Sequence, residues 1–301
     1  MTTDNDAAVN DETSVALWDD LEEKELLTIP LVGSSCAAKN GSGLSSRIDL
    51  TEEETANQEQ QRHEAPLSSL TLRQFVSNDD RWGIHSSVWE GGLAMLSYIH
   101  STVPTTGRGN KERLIIDLGS GTGIVGLGLV KLGFCNVMLT DLQEAVALME
   151  ENVGRNLVDH HIEKKDNNAK VQVVTLNWGE SLPPMVAETI DQSAEVWVLG
   201  ADIIYRKSLF GPLLSCLQSL LAFPNVSVIL ASHSIRTHLW DFYDAAEHAG
   251  MKVTLESTVL LPESRIDAVA DAKIQHGPFP LERGKVASKT NLVHVVKIIN
   301  K

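Results

Sequence analysis

A carboxylate followed at once by a glycine series stands at residues 117–126: Asp117-Leu118-Gly119-Ser120-Gly121-Thr122-Gly123-Ile124-Val125-Gly126. The apolar run Leu114-Ile115-Ile116 before it reads as a buried strand, and Ile124 onward as the start of a helix. Glycines at such a bend leave backbone N–H groups free and let a ligand approach the main chain closely. That chemistry suits a nucleotide-like cofactor and so predicts an enzyme. Asp141 ends a second apolar run, Asn136-Val137-Met138-Leu139-Thr140, 20 residues beyond Gly121. A carboxylate there can accept both hydroxyl hydrogen bonds of a ribose, although alone it reads equally well as the N-cap of the helix that follows.

Two ligands compete for this site. Gly121, Gly123 and Gly126 with Asp141 fit the dinucleotide fingerprint, so a nicotinamide oxidoreductase is one reading. Asp117 argues against it, because a pyrophosphate beside the strand end would meet a like charge. S-adenosylmethionine carries an ammonium and a sulfonium and no phosphate. Asp117 then becomes the partner of the ammonium, directly or through water, with Gly119, Ser120, Gly121 and Gly123 forming the loop around the ligand.

The elements that must position these residues follow from hydrophobic patterning. Strands are predicted at 113–118, 136–140, 171–176, 196–201 and 226–231, and helices at 123–132, 142–156, 208–222 and 237–249. Strands rich in Val, Ile and Leu without polar alternation belong in a parallel sheet covered on both faces, and the alternation means βαβ units. The runs 252–261 and 291–299 are extended and β-branched, with no helical pattern between them, and are expected to pair antiparallel at the sheet edge. The polar stretch 262–290 between them is expected to be a long loop.

Bulk properties bound the rest. The chain has 301 residues, 43% of them apolar, enough for a substantial core. Its net charge of −15 argues against binding to nucleic-acid phosphates. Residues 1–64 hold 15 acidic side chains against 4 basic ones, and they are expected to form a mostly disordered extension. One apolar patch within it, 15–27, reads as a loosely ordered tail or a short docking helix. Three cysteines, Cys36, Cys135 and Cys216, give no disulfide framework and no metal spacing. They favour a reducing compartment, the cytoplasm or the nucleus. The uncharged stretch 208–235 is broken by Pro212, Pro224 and Asn225, and reads as a buried helix, a turn and a strand rather than a membrane span.

From about residue 70 to about 299 the chain resembles the seven-stranded protein lysine methyltransferases, the group that includes the methyltransferase-like 21 proteins and the elongation-factor lysine methyltransferases. The resemblance rests on ordered pieces: Val88-Trp89-Glu90-Gly91-Gly92, the glycine loop, Thr140-Asp141, the paired Asn152 and Asn156, Asn177-Trp178-Gly179, and Asp202-Ile203-Ile204-Tyr205. It departs from the family's pattern in Asp117, where many members carry Glu, in the acidic extension and in the stretch 262–290. It implies an α/β Rossmann-like seven-stranded methyltransferase sheet over residues 65–301, mostly parallel with an antiparallel C-terminal edge strand and helices on both faces. It implies S-adenosylmethionine as cofactor and methyl transfer to a lysine of a protein partner, with translation factors and chaperones as partner classes. Methylation of a histidine, an N-terminus or a small amine is the alternative within the same chemistry. No membrane and no nucleic-acid partner are expected.

Each matched residue has a physical role under this reading and a plainer one beside it. Trp178 can cover one face of the adenine, or simply close the sheet end. Ala201 leaves room for the cofactor, or packs tightly. Asp202 can hold the target amine near the methyl group, or cap a helix or turn. Tyr205 can line the target's channel, or serve as a half-buried packing aromatic. Trp89 can close over the methionine or ribose, or belong to the core. His233 and Arg236 read as a solvated loop pair, and His160-His161 as exposed loop without metal-ligand spacing. No metal site is expected.

Overall fold

Ile115 and Ile116 are neighbours in sequence yet belong to different cores, and that alternation organises the molecule. The computed structural model describes residues 26–31, 69–74, 84–103, 112–157, 169–236, 238–263, 269, 271–279 and 291–301. Its strands are β1 (Leu26–Pro30), β2 (Ser69–Arg73), β3 (Leu114–Leu118), β4 (Asn136–Asp141) and β5 (Lys170–Thr175), then β6 (Val196–Ala201), β7 (Val226–His233), β8 (Met251–Leu260), β9 (Lys273–Phe279) and β10 (Leu292–Asn300). The helices are α1 (Glu90–Thr102), α2 (Ile124–Lys131), α3 (Gln143–Leu157), α4 (Pro184–Asp191), α5 (Phe210–Leu221) and α6 (Leu239–His248).

The main sheet has the order β5-β4-β3-β6-β7-β10-β8-β9. Strands β5 to β7 in that order are parallel, and β10 runs antiparallel to both β7 and β8. The α/β Rossmann-like architecture is therefore the one expected, with two corrections. The sheet has eight strands rather than seven, because β9 arises inside the stretch expected to be a loop and pairs antiparallel with β8. Its sequence, Lys-Ile-Gln-His-Gly-Pro-Phe, alternates weakly, and Lys273, Gln275, His276 and Gly277 are exposed, as suits an edge strand wet on one side. The C-terminal strand is consequently not the edge: β10 lies inside the sheet, and β9 ends it.

Helices cover both faces. Leu93, Leu96 and Ile99 of α1, Leu127 of α2 and Met149 of α3 pack with Ile115, Val137, Leu199 and Val295 on one side. Val186 and Ile190 of α4, Leu213 and Leu217 of α5 and Phe242 of α6 pack with Ile116, Met138, Val198 and Val228 on the other. Helix α4 was not anticipated; it starts at Pro184, which fits a first helical turn where no N–H partner is needed. Among the described residues no helix is long and apolar enough to cross a membrane.

A second, two-stranded sheet pairs β1 with β2. Strand β1 comes from the segment expected to be a disordered tail, and its Ile29 is fully buried. Leu26 and Leu27 of the apolar patch lie in this strand; the rest of that patch falls outside the described residues. The free edge of β2 is taken by side chains of α3. Asn156 Oδ1 accepts from Thr71 N–H at 3.0 Å and its Nδ2 donates to Thr71 C=O at 2.7 Å. Asn152 repeats the pattern on Arg73, at 2.6 and 3.0 Å. Four helical residues rise about 6 Å and two strand residues about 6.6 Å, so asparagines four apart can match alternate strand residues. Asn152 Nδ2 also donates to Thr122 C=O, at 2.9 Å, and so ties β2 to the glycine loop.

Candidate active site

The sheet order reverses between β3 and β6, and in open α/β sheets ligands bind at the carboxyl ends of strands beside such a switch point. A cavity lies there, with about 1060 Å³ of empty space including its mouth. Asp117 ends β3, Asp141 ends β4 and Ala201 ends β6, and all three line it.

The loop after β3 is shaped by backbone that side chains disfavour. Gly119, Gly121 and Gly123 have φ of 68°, 55° and 80°. A Cβ on Gly121 would sit 2.8 Å from the carbonyl oxygen of His85, and one on Gly119 would meet Ile203 at 2.8 Å and the Trp178 ring at 3.1 Å. Ser120 holds the loop to the next strand: its Oγ donates to Asp117 C=O at 2.8 Å and accepts from Thr140 N–H at 3.1 Å. Gly121→Ala should therefore weaken S-adenosylmethionine binding at least about tenfold, since a left-handed alanine costs about 1–2 kcal/mol before the clash with His85 is counted. Calorimetric titration with the cofactor checks this, and unchanged affinity would show the loop to be softer than its contacts indicate.

Both carboxylates are engaged by backbone N–H groups. Asp117 is 1% exposed and its Oδ2 accepts from Gly126 N–H at 2.9 Å. Burial pushes its pKa up to about 7; the bonds from Gly126 and Ser120 pull it down, and the nearby Asp141 adds a further rise. Asp141 accepts from Gly121 N–H at 2.8 Å on one oxygen and from Leu142 N–H at 2.7 Å on the other. Its pKa is also raised, mainly by burial. The bond to Leu142 realises part of the capping reading, while the carboxylate still faces the cavity.

The opposite wall is built from β6 and α1. Asp202 follows β6 with φ of 55°, the left-handed region in which Asp and Asn are the commonest non-glycine residues. Its Oδ2 accepts from Gly91 N–H at 2.6 Å and its Oδ1 from His233 N–H at 3.2 Å. Gly91 is in the first turn of α1, whose N-cap residue Trp89 makes no side-chain cap bond, so Asp202 supplies the cap from another element. A Cβ on Gly91 would meet Asp202 Oδ2 at 2.6 Å, which explains the glycine. Trp89, 37% exposed, and Tyr205 also line the cavity. Burial raises the Tyr205 phenol pKa, Asp141 adds to the rise, and Arg206 opposes it.

Of the residues singled out from sequence, the cavity brings together Trp89, Asp117, Gly119, Ser120, Gly121, Asp141, Trp178, Ala201, Asp202 and Tyr205. Gly123 is placed elsewhere: it is the left-handed N-cap of α2, where an added Cβ would come within 3.2 Å of Leu127 and Leu139. His233 and Arg236 are not a solvated pair. His233 is buried, and Arg236 lies 3.7 Å from Asp202 with its guanidinium 5.3 Å from the Trp89 ring centre. His160 and His161 lie outside the described residues. His85, Ser87, Leu176, Asn177, Ile203, Leu209 and Pro212 also line the cavity, and sequence reasoning gave none of them a role of its own. Leu176 and Asn177 adjoin Trp178 and carried that signal; Leu209 and Pro212 come from a later helix start and carried none. Among the described residues no cluster of three or more His, Cys, Asp or Glu could hold a metal ion.

Residues 68–248, more than half of the chain, match the family described as lysine methyltransferase. The chain belongs to the lysine methyltransferase family. Its relatives in that family include Protein N-lysine methyltransferase METTL21A of Xenopus tropicalis, 34% identical over 177 residues that span 58% of this chain and 73% of that one. EEF1A lysine methyltransferase 3 of the same organism is 33% identical over 156 residues, 52% of this chain and 61% of that one. Among solved structures, magnesium protoporphyrin IX methyltransferase of Synechocystis PCC 6803 with bound SAM covers 74% of this chain and 90% of that one, at 12% identity and a TM-score of 0.43, a remote likeness.

The family's methyl donor is S-adenosylmethionine, and the cavity fits it. Asp117 is a buried carboxyl that lines the cavity, and as a carboxylate it suits a cationic ligand rather than a phosphate. Asp141 offers acceptors for hydroxyls, and Trp178 lines the same cavity, close enough to Gly119 that a Cβ there would meet its ring at 3.1 Å. The oxidoreductase reading is thereby set aside.

Proposed function

We propose that this family member methylates a lysine side chain of a protein substrate in the cytoplasm, and that the substrate is a translation elongation factor. The carrying observation is the juxtaposition of Asp117, Asp141 and Trp178 with Asp202 and Tyr205 around one cavity. The substrate class rests on the name of the EEF1A lysine methyltransferase relatives. When bound, the cofactor supplies a methyl group on cationic sulfur, which a neutral amine takes by direct displacement as the S–C electron pair leaves on sulfur.

In this reading Asp117 binds the ammonium of the donor, Asp141 the ribose hydroxyls, and Trp178 one face of the adenine. Trp89 closes over the donor. Asp202 orients the target amine and Tyr205 lines its channel. The amine must lose a proton first, since the free lysine pKa is about 10.4. Burial against Trp89 and Tyr205 disfavours the ammonium form, and water takes the proton. Catalysis is then mostly orientation and removal of solvent, without an obligate base.

The test uses the full chain with methyl-labelled S-adenosylmethionine and a eukaryotic cell lysate, followed by identification of the labelled protein and residue. Label on a lysine of an elongation factor is expected. Label confined to a histidine or a protein N-terminus would overturn the lysine reading, and label on lysines of unrelated proteins alone would overturn the substrate class.

A further inference from the structure

We propose that Arg236 is the resident counter-ion of the amine end of the cavity and tunes it to a neutral amine. The inference deepens the methyl-transfer reading and rests on Asp202 facing the acceptor. It starts from an electrostatic conflict. A carboxylate beside a lysine favours the charged ammonium and so opposes the deprotonation that transfer requires. Asp202 by itself would therefore hold the substrate in its unreactive form.

The structure places a fixed cation against that carboxylate. Arg236 follows β7 in a turn closed by its N–H donating to His233 C=O at 3.1 Å. Its Nη2 lies 3.7 Å from Asp202 Oδ1, and its guanidinium stands over the Trp89 ring. Arg236 thus bridges two residues that line the cavity. At 3.7 Å the contact is longer than a hydrogen bond, so it offsets the charge without filling a lone pair. Gly91 and His233 N–H groups take one acceptor position on each oxygen, and a carboxylate has about four. Acceptor capacity remains for an amine N–H, while the net charge that an ammonium would seek is already matched. The Arg236 Nε is buried without a partner, so a tight bidentate pair is not what shapes this contact. Other titratable groups on the elements meeting here are His233 on β7, His294 on β10, Glu90 in α1 and Tyr205 after β6, with His85, Asp117 and Asp141 across the cavity.

The probes are S-adenosylhomocysteine and sinefungin, an analogue that carries a primary ammonium in place of the methylsulfonium. Each is titrated calorimetrically at neutral pH into the full chain with Arg236, Arg236→Gln and Arg236→Lys. The expected result is that Arg236→Gln raises the preference for sinefungin over S-adenosylhomocysteine about tenfold, the equivalent of one pKa unit. Affinity for S-adenosylhomocysteine should stay within about twofold, and Arg236→Lys should move the ratio back toward the parental value, because it keeps the charge although not the planar group over Trp89. An unchanged ratio in Arg236→Gln would overturn the proposal. So would loss of both ligands in that variant, which would make Arg236 a support of the whole site. Failure of the unaltered chain to bind either probe would instead overturn the methyl-donor reading beneath it.

Discussion

Replacing Asp202 by Asn should cut methyl transfer at least about a hundredfold, the cost typical of losing correct placement of a reacting group. S-adenosylmethionine should still bind within a few-fold, because the carboxylates proposed to hold the donor, Asp117 and Asp141, end β3 and β4 and keep their own backbone partners. The structural share of the loss is separable. Asn keeps one acceptor for the Gly91 N–H but turns an NH₂ toward the His233 N–H. Asp202→Ala leaves both N–H groups without this partner, each at a cost of about 1–3 kcal/mol, so its Tm should fall by roughly 5 °C or more. Transfer rates with labelled cofactor, cofactor titration and thermal melts of both variants distinguish the contributions. A near-parental rate in Asp202→Asn would remove Asp202 from the chemistry and leave it as the cap of α1.

A second large effect is expected at Asp117. Asp117→Asn removes the carboxylate proposed to bind the donor's ammonium and should weaken S-adenosylmethionine about tenfold to a hundredfold, the range for hydrogen bonds to charged groups. The pH dependence carries a sign that tests the same point. The buried carboxyl is raised from 3.8 to about 7, so the folded protein without cofactor holds a proton there that the unfolded chain has released. The stability from this group is fully present below about pH 4 and is lost as pH rises through about 7. A cationic ligand reverses the preference, because it favours the carboxylate. Cofactor affinity should therefore fall as pH drops below about 7, by up to about tenfold per unit, and Asp117→Asn should flatten that slope. A slope that survives the substitution would assign the titration to another group, with Asp141, also raised, the first to examine.

The cavity was legible in the sequence where chemistry and backbone speak together. Asp117 and the glycines are a strand end and a bend at once, so their types and their order gave both the ligand class and the position. Asp141, Trp178 and Asp202 were found because each ends or follows an apolar run, and parallel strands bring such ends to one edge. What escaped has a physical reason. Arg236 read as solvent-exposed because its partners, Asp202 and Trp89, lie far away in the chain and meet it only through the sheet order. Strand β9 escaped because an edge strand needs only one apolar face, and its polar residues resemble a loop. Strand β1 escaped because five residues inside an acidic segment carry little signal; its burial depends on a partner strand about 40 residues on.

The amide side chains that grip β2 have one more consequence. In an ordinary hairpin the turn dictates which residues face each other. Here Asn152 and Asn156 fix β2 from the far side, against a helix anchored in the core, and β1 then docks on a strand already in register. The pairing of β1 with β2 is thus set by side chains of α3 as well as by the chain between the two strands, so shortening that connection should leave β2 in register and the cavity beside it unchanged.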